Sequence, residues 1–441
     1  MKYTRNVAIN VVIANMIGTG VFFSLGFQVG DIPSWFSIMI LWIIGAIIAL
    51  LGALCYSEIS TRIAGSGGEY NYLSKIYHPA LGFIAGWVSF IVGFAAPIAV
   101  VALGIGIYTS EFLKMDSRII ASCVIFITGT VHLFGVKSGG LFQNIVTRIK
   151  LVFIVSLIFL PIVLYFFGDF QPTNQILNPF KNGVNDMSLI FSPEFAIALV
   201  WCYLAYSGWN AAVYFSDKIE NPVKNIPYSL IIGTLIVSVL YLFLNSSFLY
   251  AIDMENIKPV YDPETGNLIE KIDVGNAFLH SILPDSLANP LSLMFGVALF
   301  SSLSSMLIAG PSVLETMGND YITLKVLNKR NRYYAPYISI CCLMTLSIIL
   351  VYSAGFKELV EYIGVILSIF SVLVVLGIPI LRNKKDKEHN IYKAPFGNIL
   401  AIVFSTINMW MIYHLISSDI WVLFAVLITL LSGFILYKII K

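Results

Sequence analysis

The stretch Asn15-Met16-Ile17-Gly18-Thr19-Gly20-Val21-Phe22 lies inside the first long apolar segment of the chain, residues 6–30. Two glycines flank a threonine where a helix would otherwise run unbroken. Glycine loosens a helix because it has no Cβ and accepts positive φ. A break inside a bilayer is tolerated only where the freed backbone groups are buried in protein or line a wet cavity. The stretch therefore predicts a helix break or, alternatively, a close helix–helix contact, which small residues also favour.

A break at this point would create a half-helix that begins at Gly18 inside the membrane. The first N–H groups of a helix have no intrahelical acceptor, and the helix dipole places its positive end there. Such an end is a receptor for a carboxylate. A single Gly-x-Gly is a weak signal, so this interpretation needs a second observation.

The composition is that of a polytopic membrane protein. Of 441 residues, 58% are hydrophobic and 11% are charged, whereas a soluble domain carries about 25% charged residues. The first segment is too long for the core of a signal peptide and lacks a small-residue cleavage site, so we expect it to be retained. A net charge of +2 indicates no nucleic-acid partner.

The cysteines and histidines predict no metal site, no disulfide framework and no cofactor. All five cysteines fall in apolar segments and the five histidines are scattered, without the spacing of a metal site. The cysteines are Cys55, Cys123, Cys202, Cys341 and Cys342.

Segments of about 20 apolar residues can cross a bilayer, and we count twelve. If even-numbered connections and both termini share one side, that side carries 20 Lys and Arg residues and the other carries 6. The positive-inside rule then places both termini in the cytoplasm of a multi-pass cell-membrane protein. The predicted spans are 6–30, 35–61, 79–112, 118–136, 144–168, 191–216, 227–251, 288–315, 335–354, 359–381, 396–417 and 419–438.

The sixth span contains a second candidate break. It reads Trp201-Cys202-Tyr203-Leu204-Ala205-Tyr206-Ser207-Gly208-Trp209-Asn210, with Ser and Gly again in mid-span. Gly18 and Gly208 each lie in the first helix of a set of five, and these two helices enter the membrane from opposite sides. Two interrupted spans at matching places in two halves indicate an inverted-repeat transporter with its site near the midplane.

Several motifs resemble the amino acid–polyamine–organocation superfamily, over about residues 7–400. Ile17-Gly18-Thr19-Gly20-Val21-Phe22 is similar to its G-[ST]-G-[IV]-F motif, and the run from Glu58 to Tyr70 is similar to its E-[LI]-x-x-x-[IL]-P-x-[ST]-G-G-E-Y motif. Similarity to the L-type amino-acid transporter branch is found in residues 206–210 and 219–227. Weaker motifs of the same group are matched at residues 306–311 and 392–395.

The resemblance implies an all-α LeuT-type fold in a single transmembrane domain spanning residues 1–441. Two inverted five-helix repeats, residues 6–168 and 191–381, would be followed by two helices within 396–438. It also implies sodium-independent secondary transport of amino acids by alternating access, as exchange or proton symport. Leu204 stands where the family has an aromatic gate, and Trp201 or Tyr203 could take its place. Two other departures are Ser312, where the family often has Arg, and 317–321, where an A-R-D-G-like ending is expected.

The resemblance and the physics of helix ends together imply a site built largely from backbone. The backbone of residues 17–20 would hold an α-carboxylate, with a further donor from the Thr19 side chain. Carbonyls of Met16, Leu204 and Ser207 would accept from an α-ammonium, because helix C-terminal ends are rich in acceptors. Packing is the alternative role for Trp209. The full predicted set is Met16, Ile17, Gly18, Thr19, Gly20, Leu204, Ser207, Gly208, Trp209 and Asn210.

Lys150 is a candidate substitute for a bound sodium ion. The run Thr147-Arg148-Ile149-Lys150-Leu151 resembles the family's T-x-x-K-L, in which the ammonium occupies the place of the ion. Intramembrane charges are functional hypotheses by default, although a lysine about six residues into the predicted fifth helix could also extend to the membrane surface. Arg148 lies about 200° away around the helix. Proton coupling through Lys150 stays open.

The acids offer no obvious proton carrier. Glu58 and Glu69 flank the cytoplasmic end of the second span. Glu194 follows Pro193 at a helix start, where an acid is ordinarily a partner of the helix dipole, and it is the first candidate if a coupling acid exists. Asp217 and Glu220 lie in a polar connection and we expect them to be solvated.

Two other classes of function compete with transport. A permease-like amino-acid sensor would need a cytoplasmic tail or partner surface, which the short tails do not offer. A membrane-embedded enzyme would need a nucleophile and base or metal ligands at the breaks, and none are present in the sequence there. The uncharged pocket and Leu204 favour small or neutral substrates. The basic run 382–387 predicts contact with anionic membrane lipid, and no obligatory partner chain is evident.

Overall fold

A computed structural model describes residues 2–32, 34–168, 170–173, 188–190, 192–257, 260–261, 268–270, 273–353, 356–383, 391–418 and 420–441. Within these residues, 10 helices are long and apolar enough to cross a membrane. Two shorter apolar helices of 17 residues each, Ser117–Leu133 and Tyr337–Ser353, occupy the places of the predicted fourth and ninth spans. A helical, polytopic membrane protein is confirmed, and the count of twelve spans stays a prediction.

The described residues form seventeen α-helices. They are α1 (Arg5–Met16), α2 (Gly20–Asp31), α3 (Trp35–Arg62), α4 (Glu69–Ile76), α5 (Pro79–Val88), α6 (Ala96–Leu113), α7 (Ser117–Leu133), α8 (Gly135–Phe167), α9 (Pro193–Tyr206), α10 (Pro222–Ala251), α11 (Val274–Ile282), α12 (Asp285–Asp320), α13 (Tyr337–Ser353), α14 (Phe356–Val375), α15 (Gly377–Asn383), α16 (Gly397–Ser418) and α17 (Ile420–Ile440). A π-helical segment, Ser89–Ala95, joins α5 to α6, and 3₁₀ segments cover Ala211–Lys218, Met254–Ile257 and Ile322–Asn328.

The structure corrects two sequence expectations about these elements. The expected all-α fold is not complete, because the connection within 252–287 holds, beside α11, two short antiparallel strands, β1 (Val260–Tyr261) and β2 (Leu268–Glu270). The fifth span begins at Gly135 rather than at 144, because a helix continues through polar residues that an apolar segment excludes. Lys150 therefore lies near the middle of α8.

The two interrupted spans occupy the interior of the bundle. The percentages that follow are the buried share of an 18-residue apolar window in each span. This share is 78% in Arg5–Gly30 and 72% in Pro193–Lys218, but only 33% in Gly397–Ser417 and 17% in Trp421–Ile440. α1 packs against α8, α10 and α12, and α9 packs against α2 and α3. The breaks are thus surrounded by protein, whereas α16 and α17 lie at the periphery.

A buried ionic cluster fixes the end of α3 to the segment before α16. Glu58 accepts hydrogen bonds from the guanidinium of Arg382 at 2.7 and 2.9 Å, and it forms an ion pair with Arg62 at 3.0 Å. The same carboxylate accepts from the Ala394 backbone N–H at 2.9 Å. The motif residues Glu58 and Ala394, far apart in the sequence, are therefore parts of one structural contact.

Candidate functional site

The first helix breaks where the Gly-Thr-Gly stretch predicts it. α1 ends at Met16 and α2 begins at Gly20. The Ile17 N–H donates to the Ile13 carbonyl and the Gly18 N–H donates to the Met16 carbonyl, both at 2.9 Å. The expectation that free donors begin at Gly18 is therefore wrong, because the last turn of α1 uses that N–H group.

The unused donors begin one residue later. The N–H groups of Thr19, Gly20 and Val21 stand at the start of α2, where a helix has no acceptor of its own for them. Phe22 already donates to the Thr19 carbonyl at 3.0 Å. The start of α2 thus presents backbone donors and a positive dipole end to the space beside the break.

The two glycines of the break serve different purposes, and neither has positive φ. A Cβ at Gly18 would meet nothing within 4 Å, whereas a Cβ at Gly20 would lie 2.8 Å from the Ala205 Cα. Gly18 leaves open space beside the break, and Gly20 permits a close contact between α2 and α9. The two alternatives for the Gly-x-Gly stretch therefore occur together: the helix break at Gly18 and a close helix–helix contact at Gly20.

Lys150 reaches the break from α8 and is fully buried. Its ammonium lies close to the Ile17 carbonyl, 2.6 Å from the Ser302 Oγ and 3.4 Å from the Ala14 carbonyl. The Ser302 hydroxyl also donates to the Ile17 carbonyl at 2.7 Å. Arg148 is exposed on another face of α8. The ammonium therefore joins α8 and α12 to the end of α1.

The second break follows Tyr206, the last residue of α9, and contacts the first break. Gly208 has φ of +96°, and a Cβ there would lie 2.9 Å from the backbone carbon of Asn15. The Tyr241 hydroxyl lies 2.7 Å from the Met16 carbonyl and 3.0 Å from the Ala205 carbonyl. One hydroxyl of α10 thus connects the carbonyl ends of both interrupted helices.

Two cavities meet at the breaks. The Thr19 cavity is bordered by Gly18, Thr19, Gly20, Trp201 and Leu204, and the Glu69 cavity by Glu69, Tyr203, Gly208, Trp209, Asn210 and Tyr214. Both are lined by Asn15, Pro97, Ser207 and Met306. The Asn15 Nδ2 is buried without a hydrogen-bond partner in the described part of the chain. A ligand held in the Thr19 cavity would therefore border the Glu69 cavity as well.

The predicted ammonium acceptors do not all remain available. The Met16 carbonyl already accepts from Gly18 and faces the Tyr241 hydroxyl. The Leu204 carbonyl accepts only from the Ser207 N–H in the described bonds, at 3.0 Å, and a carbonyl has a second lone pair. Leu204 and Ser207 also line the Thr19 cavity.

The aromatic residues of α9 divide between the cavities. Trp201 borders the Thr19 cavity and stacks on Phe27, with ring centroids 4.3 Å apart and planes inclined by 7°. Tyr203 lines the Glu69 cavity instead. Of the two candidates to replace an aromatic at Leu204, only Trp201 lies beside the first break.

Trp209 borders the Glu69 cavity, but most of its ring packs against other side chains. Its ring meets that of Tyr56 edge-on at 4.8 Å and lies against Phe404, and a Cβ at Gly52 would collide with it at 2.6 Å. Asn210 donates through Nδ2 to the Glu69 carboxylate at 2.7 Å.

Several residues at the breaks escaped the sequence analysis. Asn15, Tyr241 and Ser302 carry polar groups within apolar segments, and that contrast was the available signal; Glu69, in a polar connection, gave no such signal. Glu69 is only 4% exposed, whereas Glu194 is exposed in the first turn of α9. The other expected acids lie at the surface, as predicted: Asp217, which accepts from the Ser66 N–H at 3.0 Å, and Glu220.

The chemistry of this site is binding. In the residues that the structure describes, no three His, Cys, Asp or Glu side chains are grouped to hold a metal ion. Residues at the start of α2 and at the end of α9 line one cavity, and the backbone donors of the one and the carbonyls of the other suit a zwitterion. Two interrupted helices that meet around an internal cavity define the class of secondary transporters.

Comparison with known proteins gives the family. The model of the family described as Amino acid permease matches residues 7–434, which is nearly the whole chain. The chain therefore belongs to the amino acid permease family, and its function is secondary transport of amino acids rather than catalysis.

The relatives agree with the resemblance to the L-type branch. The chain is 26% identical to the b(0,+)-type amino acid transporter 1 of Rattus norvegicus, over 97% of this chain and 85% of that protein. It is 25% identical to the serine/threonine exchanger SteT of Bacillus subtilis (strain 168), over 90% and 87% of the two chains. The large neutral amino acids transporter small subunit 2 of Mus musculus is 28% identical, over 86% and 70%.

Proposed function

We propose that the chain carries an α-amino acid whose carboxylate binds the N–H groups at the start of α2, next to Thr19. The observation that carries this proposal is the break itself. Thr19 and Gly20 border a cavity, and the positive end of the α2 dipole favours an anion there. The Asn15 Nδ2, buried without a partner among the described residues, adds a donor beside the same cavity.

The ammonium of the substrate would bind the carbonyls of Leu204 and Ser207. Both residues line the Thr19 cavity, and the end of α9 is rich in acceptors. The described residues that line this cavity include no Lys, Arg, Asp or Glu, so a small or neutral side chain fits best. Trp201 and Phe27 would cover it in place of the family's aromatic gate.

The transport is proposed to be independent of sodium. The Lys150 ammonium lies at the Ile17 carbonyl and makes the contacts that a coordinated cation would make. A charge fixed on the protein draws no driving force from a sodium gradient. The contacts of Lys150, in addition to its charge, support the proposed role as an ion substitute.

The finer architecture completes the proposal. Twelve spans would form two inverted five-helix repeats and two further helices, with both termini in the cytoplasm of the cell membrane. The 20:6 distribution of Lys and Arg supports this orientation. One relative is named a small subunit, whereas we propose that this chain needs no partner chain. A reporter fused at Lys441 tests the orientation: an extracytoplasmic signal would contradict it.

Competition between matched ligands tests the carboxylate assignment. Uptake of radiolabelled L-serine, L-threonine and L-leucine into proteoliposomes is measured against unlabelled amino acids and their carboxyl amides. We expect the acids to compete and the amides to fail, because an amide lacks the charge that the start of α2 binds. An amide that competes as well as the acid would contradict the carboxylate site, and absent uptake of every amino acid would contradict transport.

A further inference from the structure

Glu69, the first residue of α4, is a buried acid that the proposed binding site does not use. One carboxylate oxygen, Oε1, accepts from the Tyr56 hydroxyl at 2.9 Å and from the Asn210 amide at 2.7 Å. The other, Oε2, is buried and makes no hydrogen bond of normal geometry with the described residues, although the Tyr214 hydroxyl lies nearby. Glu69 lines the cavity that reaches the second helix break.

The surroundings of Glu69 contain hydroxyls instead of cations. The titratable side chains that face it are Tyr56 of α3, Tyr72 of α4, Tyr203 of α9 and Tyr214 of the 3₁₀ segment. Throughout the described residues, no ion pair includes Glu69. A buried carboxylate without a counter-charge is costly.

A proton removes that cost. The start of α4 favours the ionised form of Glu69, but burial outweighs this effect and raises the pKa of the carboxyl above its ordinary value. Burial therefore favours the neutral, protonated acid more strongly than contact with water would. Because the Asn210 amide donates to Oε1, the carboxyl group contacts the segment directly after Gly208.

A thin layer of backbone separates Glu69 from the next cavity. The Gly67 N–H donates to the Tyr214 carbonyl at 3.0 Å, and Ser66 and Asp217 exchange two hydrogen bonds at 2.9 and 3.0 Å. Beyond this layer lies a cavity of about 290 Å³, lined by Lys2, Ser66 and Asp217 among others. Separation of the two paired segments would let water reach the carboxyl from the side of the N-terminus.

We propose that Glu69 binds the proton that is carried together with the amino acid, which makes the chain a proton symporter. The inference rests on the proposed function. The proton enters with the substrate, resides on Oε2 and leaves to water on the N-terminal side when Ser66–Gly68 parts from Tyr214–Asp217. The carboxylate that remains is protonated again before the next cycle. A zwitterion and one proton together move one positive charge.

The sign of the pH effect follows from linkage. Because the pKa of Glu69 is raised while it is buried, the closed conformation binds the proton more tightly than a hydrated, open one. Lower pH therefore favours the closed conformation, and raising the pH through the raised pKa favours the open one.

The test uses the purified chain in proteoliposomes with radiolabelled L-serine, L-threonine and L-leucine as probes. Under a one-unit inward pH gradient, with the membrane potential held at zero, a 1:1 symporter accumulates substrate up to about tenfold. We expect this accumulation in the unaltered chain and in Glu194→Gln, whose acid is exposed. Glu69→Gln keeps acceptors for Tyr56 and Asn210 but takes no proton, so it should show counterflow without accumulation.

The remaining outcomes are also decisive. Counterflow without gradient-driven accumulation in the unaltered chain would overturn the proposal, and so would accumulation by Glu69→Gln. If Glu69→Gln keeps accumulation but selectively loses substrates with an amine in the side chain, Glu69 would be assigned to substrate recognition instead. If Glu69→Gln loses counterflow, infrared spectroscopy decides: the carbonyl band of a protonated acid must be present in the unaltered chain and absent from the variant. Absent counterflow in the unaltered chain would contradict the proposed transport itself.

Discussion

The two helix breaks touch each other, but they are held in different ways. No residue from Met16 to Gly20 has positive φ, and the carbonyl of Ile17 is held from outside by Lys150 and Ser302. The second break depends on Gly208, whose φ is +96° and which has no room for a Cβ. A break can thus be imposed by donors from neighbouring helices or built into the chain by one glycine.

The largest expected effect comes from removing the external support of the first break. Lys150→Ala removes the ammonium at the Ile17 carbonyl, and a hydrogen bond to a charged group is worth about 1.5–3 kcal/mol. We expect transport to fall by roughly a hundredfold, measured as L-serine uptake in proteoliposomes. Arg148→Ala, on the exposed face, is the matched control and should keep its activity.

The same assay, run in sodium and in choline medium, tests the ion-substitute role directly. Equal uptake in both media is expected for the unaltered chain. Uptake that collapses in choline, or a Lys150→Ala variant with full activity, would contradict that role.

The next largest effect should come from Gly208→Ala. An L-residue at this φ costs about 1–2 kcal/mol, and a Cβ packed 2.9 Å from the Asn15 backbone carbon adds about 1–3 kcal/mol of overpacking. Thermal unfolding followed by size-exclusion chromatography should show a clearly lowered midpoint. Gly168→Ala, at φ +78° with nothing within 4 Å, has the strain without the crowding and should lose less. Equal losses would show that crowding at Asn15 is unimportant.

The two glycines of the first break should separate stability from binding. Gly20→Val should lower the unfolding midpoint, because its Cβ would lie 2.8 Å from Ala205 and overpacking costs about 1–3 kcal/mol. Gly18→Val should fold normally but bind no amino acid, because its side chain enters open space at the Thr19 cavity. Binding by titration calorimetry and unfolding are measured on both variants. A Gly18→Val protein that binds L-serine normally would remove Gly18 from the site.

The smallest effect should come from Ser302→Ala. It removes one neutral donor to the Ile17 carbonyl, worth about 1 kcal/mol, while Lys150 still holds that carbonyl. We expect uptake to fall by about fivefold. Ser304→Ala, which removes a contact with His132, is the control. A loss as large as that of Lys150→Ala would place the main support in the hydroxyl instead of the ammonium.

The sequence allowed the breaks to be predicted, because glycine and a polar residue in an apolar span are local signals. The partners of the breaks were not predictable in the same way. Among neighbouring serines of α12, Ser301 and Ser305 bond the backbone of their own helix, and only Ser302 reaches Ile17. All three positions hold the same residue type, so the sequence does not distinguish them. The side chain that faces α1 depends on how the helices are rotated in the bundle.

Glu69 illustrates a second limit. An acid in a polar connection between two spans predicts a solvated side chain, as Asp217 is. The connection instead folds back, because Gly65, Gly67 and Gly68 have positive φ and pair it with the segment after the second break. Burial of Glu69 is therefore a property of tertiary packing that no local pattern near residue 69 reveals.

The two 17-residue helices, α7 and α13, also affect the surrounding lipid. They pack against each other, with Gly129 leaving room for the Met344 sulfur. At 1.5 Å per residue each extends about 26 Å, less than the roughly 30 Å of a hydrocarbon core. As proposed spans they favour a thinner bilayer beside them. Shorter acyl chains would gather there, and this chain would favour thin regions of the membrane over thick ones.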